Sequence, residues 1–277
     1  MHDTINKLFN LKGKVAIVTG AAGLLGQQFV SVLRKAGANV VAIDIVDDIV
    51  GKIVNEDYPG VDAESAFFKL NICDKEGVKA MVNKVLNKWN KIDILINSAA
   101  IDPKFDKENI NKNEHTFEDY PIDEWQKSLN VNLTGTFIIT QQVGKIMSRQ
   151  LNGNIINIAS TYGMVGPDQR IYKKCNELEQ ASYKPISYAV TKGAILQFTR
   201  YLAAYWQGKN IRVNSLTPGG VENNQEDEFL TNYSYRTPTG RMAKIDELNG
   251  ALLFLSSDAS SYMNGANLVI DGGWTAW

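Results

Sequence analysis

The sequence predicts an α/β fold: one doubly wound domain built on a seven-stranded parallel sheet. Three observations predict it. Apolar runs of about four to six residues alternate with amphipathic stretches of about ten or more, the pattern of successive βαβ units. The apolar runs are continuous rather than alternating, as strands covered on both faces must be. The first run ends in a glycine-rich turn, Thr19-Gly20-Ala21-Ala22-Gly23-Leu24-Leu25-Gly26, that opens a helical pattern.

Taken in order, Val15-Ala16-Ile17-Val18 is the first strand, followed by a helix over residues 25–35 that Gly37 closes. Val40-Val41-Ala42-Ile43 is the second, ending at Asp44, and Ala66-Phe67-Phe68-Lys69-Leu70 the third. Residues 75–89 read as an amphipathic helix, and Ile92-Asp93-Ile94-Leu95-Ile96 as the fourth strand. Residues 153–159, 210–216 and 267–270 supply the last three. Neither a repeat nor a low-complexity linker interrupts the series, so residues 1–277 form one domain with a core over residues 13–273. Polar segments 102–120, 162–186 and 221–241 each follow a strand end. Ligands of open parallel sheets bind beyond those ends, so these are the expected substrate loops.

Composition narrows the function. Hydrophobic residues make up 44% and charged residues 21% of 277, an ordinary globular mixture. Twenty-nine basic against 30 acidic residues leave a net charge of -1, which gives no electrostatic case for nucleic acid or anionic membrane as a partner. Two isolated cysteines, Cys73 and Cys175, form neither a disulfide framework nor a zinc site. Neither histidine, His2 or His115, has a metal partner nearby in sequence, so no metal is expected and a Ser-His-Asp hydrolase is disfavoured. No apolar run reaches the roughly 18–20 residues of a membrane helix, and the N-terminus lacks a signal-peptide core. A cytoplasmic protein acting on a small molecule is the expectation.

The glycine turn has the context a dinucleotide site requires. It follows a strand, opens a helix whose free N–H groups face an anion, and precedes an acidic residue at the next strand end by about 20 residues. Gly20, Gly23, Leu25 and Gly26 are the expected pyrophosphate-side residues. A carboxylate at Asp44 accepts hydrogen bonds from ribose hydroxyls and repels a 2′-phosphate. No Arg or Lys lies in the turn or just after Asp44, so NAD is expected over NADP.

Ser187-Tyr188-Ala189-Val190-Thr191-Lys192 opens a helical pattern running to about residue 206. Positions i and i+4 share a helix face, which makes Tyr188 and Lys192 neighbours. A free phenol titrates near 10, and an adjacent ammonium favours its anion. Asn97-Ser98-Ala99-Ala100 after the fourth strand, Asn132 in Asn130-Val131-Asn132-Leu133-Thr134-Gly135, Ser160 at the end of the fifth strand, Tyr188 with Lys192, Pro218-Gly219-Gly220 and residues 265–273 stand in one consistent order. Together they resemble the short-chain dehydrogenase/reductase family over residues 13–273.

That resemblance implies a Rossmann-type sheet and a nicotinamide-dependent enzyme. Tyr188 would be its general acid/base, Ser160 would orient the substrate oxygen, and Lys192 would bind the nicotinamide ribose and tune Tyr188. Asn132 would hold a water in a proton relay. Asn71, Ile72, Asn97, Ala99, Pro218, Gly219 and Val221, with Tyr188 and Lys192 themselves, join the expected cofactor contacts. The family's usual subunit helices correspond to residues 125–142 and 188–206, where Gly193, Ala194, Ala203 and Ala204 would allow close packing; a homodimer or homotetramer is implied.

The chain departs from the family pattern in four places, one of them Ser98 and Ala100, which stand where the family has Asn and Gly. Leu24 stands where the single-domain branch usually has its middle glycine, and the resulting Gly-x-x-Gly-x-x-Gly is typical of the extended branch of nucleotide-sugar epimerases and dehydratases. Asn71 replaces an Asp. Ser160 and Tyr188 are 28 residues apart, roughly twice the family's usual spacing, so residues 162–186 carry an insertion. Its Asp168, Gln169, Arg170, Tyr172, Lys173, Lys174 and Tyr183, with Asp102, Lys104, Asn223, Asn224, Tyr233, Tyr235 and Arg236 in the other loops, suit a hydroxylated substrate such as a sugar derivative. The stretch Ala100-Ile101-Asp102-Pro103-Lys104-Phe105, with the insertion, is similar to bacterial oxidoreductases associated with flagellin-glycan sugar synthesis. The expected function is a dehydrogenase; an epimerase or dehydratase cycling NAD internally, or an NAD-binding sensor, are the alternatives.

Overall fold

The computed structural model describes residues 2–47, 66–102, 116–175, 178–180 and 182–277. A short helix, α1 (His2–Phe9), precedes β1 (Val15–Thr19), α2 (Leu24–Lys35), β2 (Asn39–Asp44), β3 (Phe67–Lys69), α3 (Lys75–Trp89) and β4 (Ile94–Asn97). Helix α4 (Ile122–Leu129) runs through a π-helical stretch, Asn130–Gly135, into α5 (Thr136–Gln150). Then follow β5 (Gly153–Ile158), α6 (Ile186–Tyr205), β6 (Ile211–Pro218), α7 (Asp227–Arg236), α8 (Asn249–Ser256) and β7 (Asn267–Ile270). The order across the sheet is β3-β2-β1-β4-β5-β6-β7, and every pairing is parallel. The expected seven-stranded sheet is present, and all its strand-to-helix loops open at one end.

Alternation within β1 divides the core. Ala16 and Val18 join Phe29, Val30 and Leu33 of α2 and Leu252 and Leu255 of α8 on one face. Val15 and Ile17 join Val78, Met81, Val82 and Val85 of α3 and Ile139, Val143 and Met147 of α5 on the other. Full burial of each of these side chains larger than alanine contributes about 1.5–3 kcal/mol. Because β1 pairs with β2 on one side and β4 on the other, the chain winds outward in both directions from β1. A ligand crevice opens at such a reversal.

Helix α3 begins and ends where the sequence puts it. Asp74 accepts from the Glu76 and Gly77 N–H groups, and Asn90 closes the helix in the left-handed region. Strand β4 starts two residues later than the apolar run. The Gln150 amide instead takes both backbone groups of Ile92, at 3.0 and 2.8 Å, and so replaces sheet pairing there. Strand β6 runs on to Pro218, which pairs with Ile270. Among the described residues, no helix is long and apolar enough to cross a membrane.

Candidate active site

The glycine turn is shaped by close backbone approach. Gly20 has φ +65°, and a Cβ there would lie 2.7 Å from Ala99 Cα; at Gly26 it would lie 2.0 Å from the Gly20 carbonyl oxygen. Thr19 Oγ1 accepts from the Ser98 and Ala99 N–H groups at 3.1 Å, so β1 and β4 are joined just below the crevice. Gly23 caps α2 with no side-chain hydrogen bond and is itself exposed. The first N–H groups of the helix therefore lack a side-chain acceptor and face the crevice mouth. A pyrophosphate fits this cradle: backbone donors, the positive end of a helix, and no Cβ in the way. Leu25 packs against the core beneath it.

Asp44 ends β2 beside that turn. One carboxylate oxygen accepts from the Ala22 N–H at 2.9 Å and the other from Ile45 at 2.7 Å and Val46 at 3.4 Å. The anion is thus held in place by the turn it faces. Asn71, beyond β3, accepts from the Cys73 N–H through its side-chain oxygen, and Ile72 is buried against Gly135. Asn97 is buried and donates to Thr140 and Asn157, stapling β4 to β5 and α5. On the far side, the Gly219 N–H donates to Ile270 and the Gly220 N–H to the Tyr233 hydroxyl, while Val221 bridges to Ala243. Pro218, Gly219 and Val221 thereby line up at the carboxyl end of β6.

The expected proton-transfer group comes together. Ser160, just beyond β5, hydrogen-bonds the Tyr188 hydroxyl, while its Oγ also accepts from the Tyr162 N–H. Burial pushes the Tyr188 phenol up, Asp102 pushes it the same way, and the Ser160 hydrogen bond opposes both. Lys192, one turn along α6, is buried and donates to the Ile158 carbonyl at 2.7 Å; its ammonium lies 5.7 Å from the Tyr188 ring centre. Burial pulls Lys192 down to about 8. Gly163 permits this approach, since a Cβ there would lie 2.6 Å from the Lys192 carbonyl carbon. Gly193 is half-buried, and a Cβ there would lie 3.5 Å from the Gly163 carbonyl oxygen.

Asn132 lies in the π-helical stretch. Its amide exchanges hydrogen bonds with both backbone groups of Ile101, at 2.8 and 3.0 Å, and donates to Thr191 Oγ1 at 3.0 Å. Both N–H donors are therefore used. The side chain ties the β4 loop to α6.

Sequence reasoning did not single out Lys184. Its ammonium lies 4.4 Å from the Tyr188 ring centre and binds both oxygens of Asp102 at 2.6 Å. It also missed an aromatic cluster in which Trp274 stacks on Tyr233 at 4.4 Å and meets Tyr162 edge-on, while Tyr172 donates to or accepts from the Tyr162 hydroxyl. This cluster roots the insertion on α7 and the C-terminal segment. The only hint in the sequence is position: Lys184 immediately precedes the Pro185 that opens α6. Lys104 lies outside the described residues.

A titration difference tests the burial of Lys192. Its folded-state value, about 8, lies below its ordinary 10.5. Between those two pH values the unfolded chain binds a proton that the native protein does not, so stability rises with pH across that window. Relative to Lys192→Met, the parent protein should gain stability from pH 8 to 10.5 in denaturant melts; a difference that is flat or falls would sink the assignment.

A sheet reversal with a dinucleotide cradle, beside a Ser–Tyr pair backed by a buried lysine, defines a nicotinamide-dependent oxidoreductase. Comparison with known proteins agrees. Residues 20–275 match the family model described as enoyl-(acyl carrier protein) reductase. The chain is 33% identical over 268 residues to the 3-oxoacyl-[acyl-carrier-protein] reductase FabG of Thermotoga maritima, covering 95% of this chain and 98% of that protein. A short-chain dehydrogenase from Leptospira borgpetersenii, solved with bound NAD+, superposes with a TM-score of 0.80 at 33% identity, over 98% of this chain and 95% of that one. A gluconate 5-dehydrogenase from Burkholderia cenocepacia, in complex with NADP and tartrate, gives 0.80 at 28% identity, over 99% of each chain. The chain belongs to the short-chain dehydrogenase/reductase family.

Proposed function

We propose that the protein is an NAD(H)-dependent dehydrogenase acting on a hydroxyl or carbonyl group of a sugar or sugar derivative. The observation that carries this reading is the Ser160–Tyr188 hydroxyl pair at the sheet's carboxyl end, with Lys192 buried behind it. A bound nicotinamide supplies the hydride acceptor or donor. Ser160 orients the substrate oxygen. Tyr188 takes that oxygen's proton during oxidation and returns it during reduction, and the Lys192 ammonium favours the phenolate. Asn132 keeps the catalytic helix in register with the β4 loop.

Asp44 supports NAD, because its carboxylate is fixed by three backbone N–H groups and would confront a 2′-phosphate with a held negative charge. A polar substrate is supported by the charged rim, where Asp102 pairs with Lys184 and Asp168 with Arg170 and Arg236. The gluconate 5-dehydrogenase likeness and the resemblance to flagellin-glycan oxidoreductases point the same way. Exposed Phe137, Val190, Tyr201 and Tyr205 on α5 and α6 support a homodimer or homotetramer built on those helices.

The test is nicotinamide reduction by purified protein with a panel of sugars, polyols, sugar acids, nucleotide sugars and simple alcohols. We expect turnover with a sugar-like compound and NAD, with NADP at least about tenfold poorer. Asp44→Ala should narrow that gap by weakening NAD. No reduced cofactor from any compound, despite tight NAD binding, would shift the weight to an epimerase with internal hydride cycling or to a sensor.

A further inference from the structure

Two loops that the family pattern leaves open deliver opposite charges to the same tyrosine. Asp102 follows β4 by five residues, and Lys184 ends the insertion just ahead of α6. Their ion pair is two-pronged, with both Asp102 oxygens 2.6 Å from Lys184 Nζ. The lysine side chain is only 11% exposed and the aspartate 46%. The ammonium lies closer to the Tyr188 ring centre, at 4.4 Å, than the Lys192 ammonium at 5.7 Å. It also lies 5.8 Å from the Tyr162 ring.

The insertion is built to hold this lysine in place. The Gln169 amide accepts from the Lys184 N–H at 2.8 Å and donates to its carbonyl at 3.3 Å. Gln180 in turn donates to the Gln169 and Ser182 carbonyls. Holding a backbone by a two-point side-chain clamp costs conformational entropy, which a freely solvated surface lysine does not require.

We propose that the Lys184–Asp102 pair sets the acidity of Tyr188, with Lys184 as a second ammonium favouring the phenolate and Asp102 opposing it. Lys184 and Asp102 are positioning residues in this scheme; they act through Tyr188, and the inference rests on Tyr188 being the acid/base group proposed above. A cation over an aromatic face is attracted to the ring, and more strongly once the ring carries a negative charge.

The other groups around Tyr188 leave room for this pair to matter. On its own helix, Lys192 is the charged neighbour. From the end of β5, Ser160 offers a neutral hydroxyl, and Tyr162 in the turn beyond pairs its hydroxyl with that of Tyr172. Ahead of α4, Tyr120 hydrogen-bonds Ser187. Asp168 faces Tyr162 and is engaged by Arg170 and Arg236. Asp102 and Lys184 are thus the charges that reach Tyr188 from outside α6 among the described residues.

The test is ultraviolet titration of the phenolate, reading each protein against its own Tyr188→Phe partner so that the other tyrosines cancel. Lys184→Met should move the Tyr188 signal up by about one pH unit and Asp102→Asn should move it down by about one. The Asp102→Asn/Lys184→Met double variant, which removes both charges, should return toward the parent. The rising limb of kcat/KM for substrate oxidation should follow the same order. The same titration in all four proteins, or shifts of one sign for both single variants, would overturn the proposal. Because the titration needs no turnover, these shifts in a protein that oxidises nothing would retain the tuning pair and refute only the dehydrogenase reading.

Discussion

Replacing Tyr188 by phenylalanine should lower kcat by about 10²–10⁴-fold, the range over which a positioned general acid/base contributes. The ring stays, so the packing of α6 against the turn beyond β5 stays with it. The hydroxyl lost is one that bonds Ser160, whose Oγ retains the Tyr162 N–H. Stability should therefore change by no more than about 1 kcal/mol, the net worth of an ordinary hydrogen bond. Nucleotide affinity should hold, because the cradle at Gly20, Gly23 and Gly26 is made by other elements. The parent enzyme's oxidation rate should rise with pH. Burial raises the phenol and keeps it protonated near neutrality, so each step upward in pH populates the base. Reduction, which needs the proton in place, should show the opposite slope. A Tyr188→Phe variant that retains more than about a tenth of the rate, at unchanged nucleotide affinity, would remove Tyr188 from the proton path. Ser160→Ala separates orientation from proton transfer: it should slow turnover while the pH dependence keeps its shape.

How much of this was legible in the sequence depended on how local the cause was. Strand β1, helix α3 and strand β7 follow from residues within themselves: a continuous apolar run, an Asp74 cap with Asn90 at the other end, and a short run after a glycine turn. The crevice and the Ser160–Tyr188–Lys192 group were legible because each motif sits at a strand end or on a helix face whose direction the pattern fixes. The π-helical stretch was not. Residues 130–135 continue a helical periodicity, and what opens the turn there is tertiary, with Asn132 bonded to Ile101 and Thr191 and Gly135 seated on Ile72. The start of β4 moved for a similar reason, a single glutamine 58 residues away. Lys184 is the clearest case. As a residue type in a polar insertion it reads as solvated. Its burial depends on Asp102, 82 residues earlier, and on a clamp from Gln169. The insertion was visible as an excess length between Ser160 and Tyr188, but its aromatic root on Tyr233 and Trp274 needed the fold to bring α7 and the C-terminal segment beside it.

Gly26→Ala should be the most damaging single methyl in the nucleotide site, and Gly23→Ala should separate folding from binding. At Gly26 the new Cβ would lie 2.0 Å from the Gly20 carbonyl oxygen and 2.8 Å from the Gly20 carbonyl carbon and Ala21 Cα, all backbone atoms. None can rotate away, so α2 must back off β1 and break the packing of Phe29, Val30 and Leu33. Overpacking of this kind costs about 1–3 kcal/mol or more, and the displaced helix terminus should lose NADH affinity by at least about tenfold, read by fluorescence titration beside thermal melts. At Gly23 a Cβ would meet, among the described residues beyond its chain neighbours, the Gly20 carbonyl oxygen alone within 4 Å, at 3.2 Å, and the position faces solvent. Its methyl should leave the melt within about 0.5 kcal/mol of the parent, as for a surface change. It would project into the space where backbone must approach pyrophosphate, so nucleotide binding should fall all the same. This contrast bears on the unusual glycine spacing. If Gly23→Ala binds NADH as well as the parent does, then Gly23 does not replace the missing middle glycine, and Leu24 N–H must face the phosphate from further out on the helix.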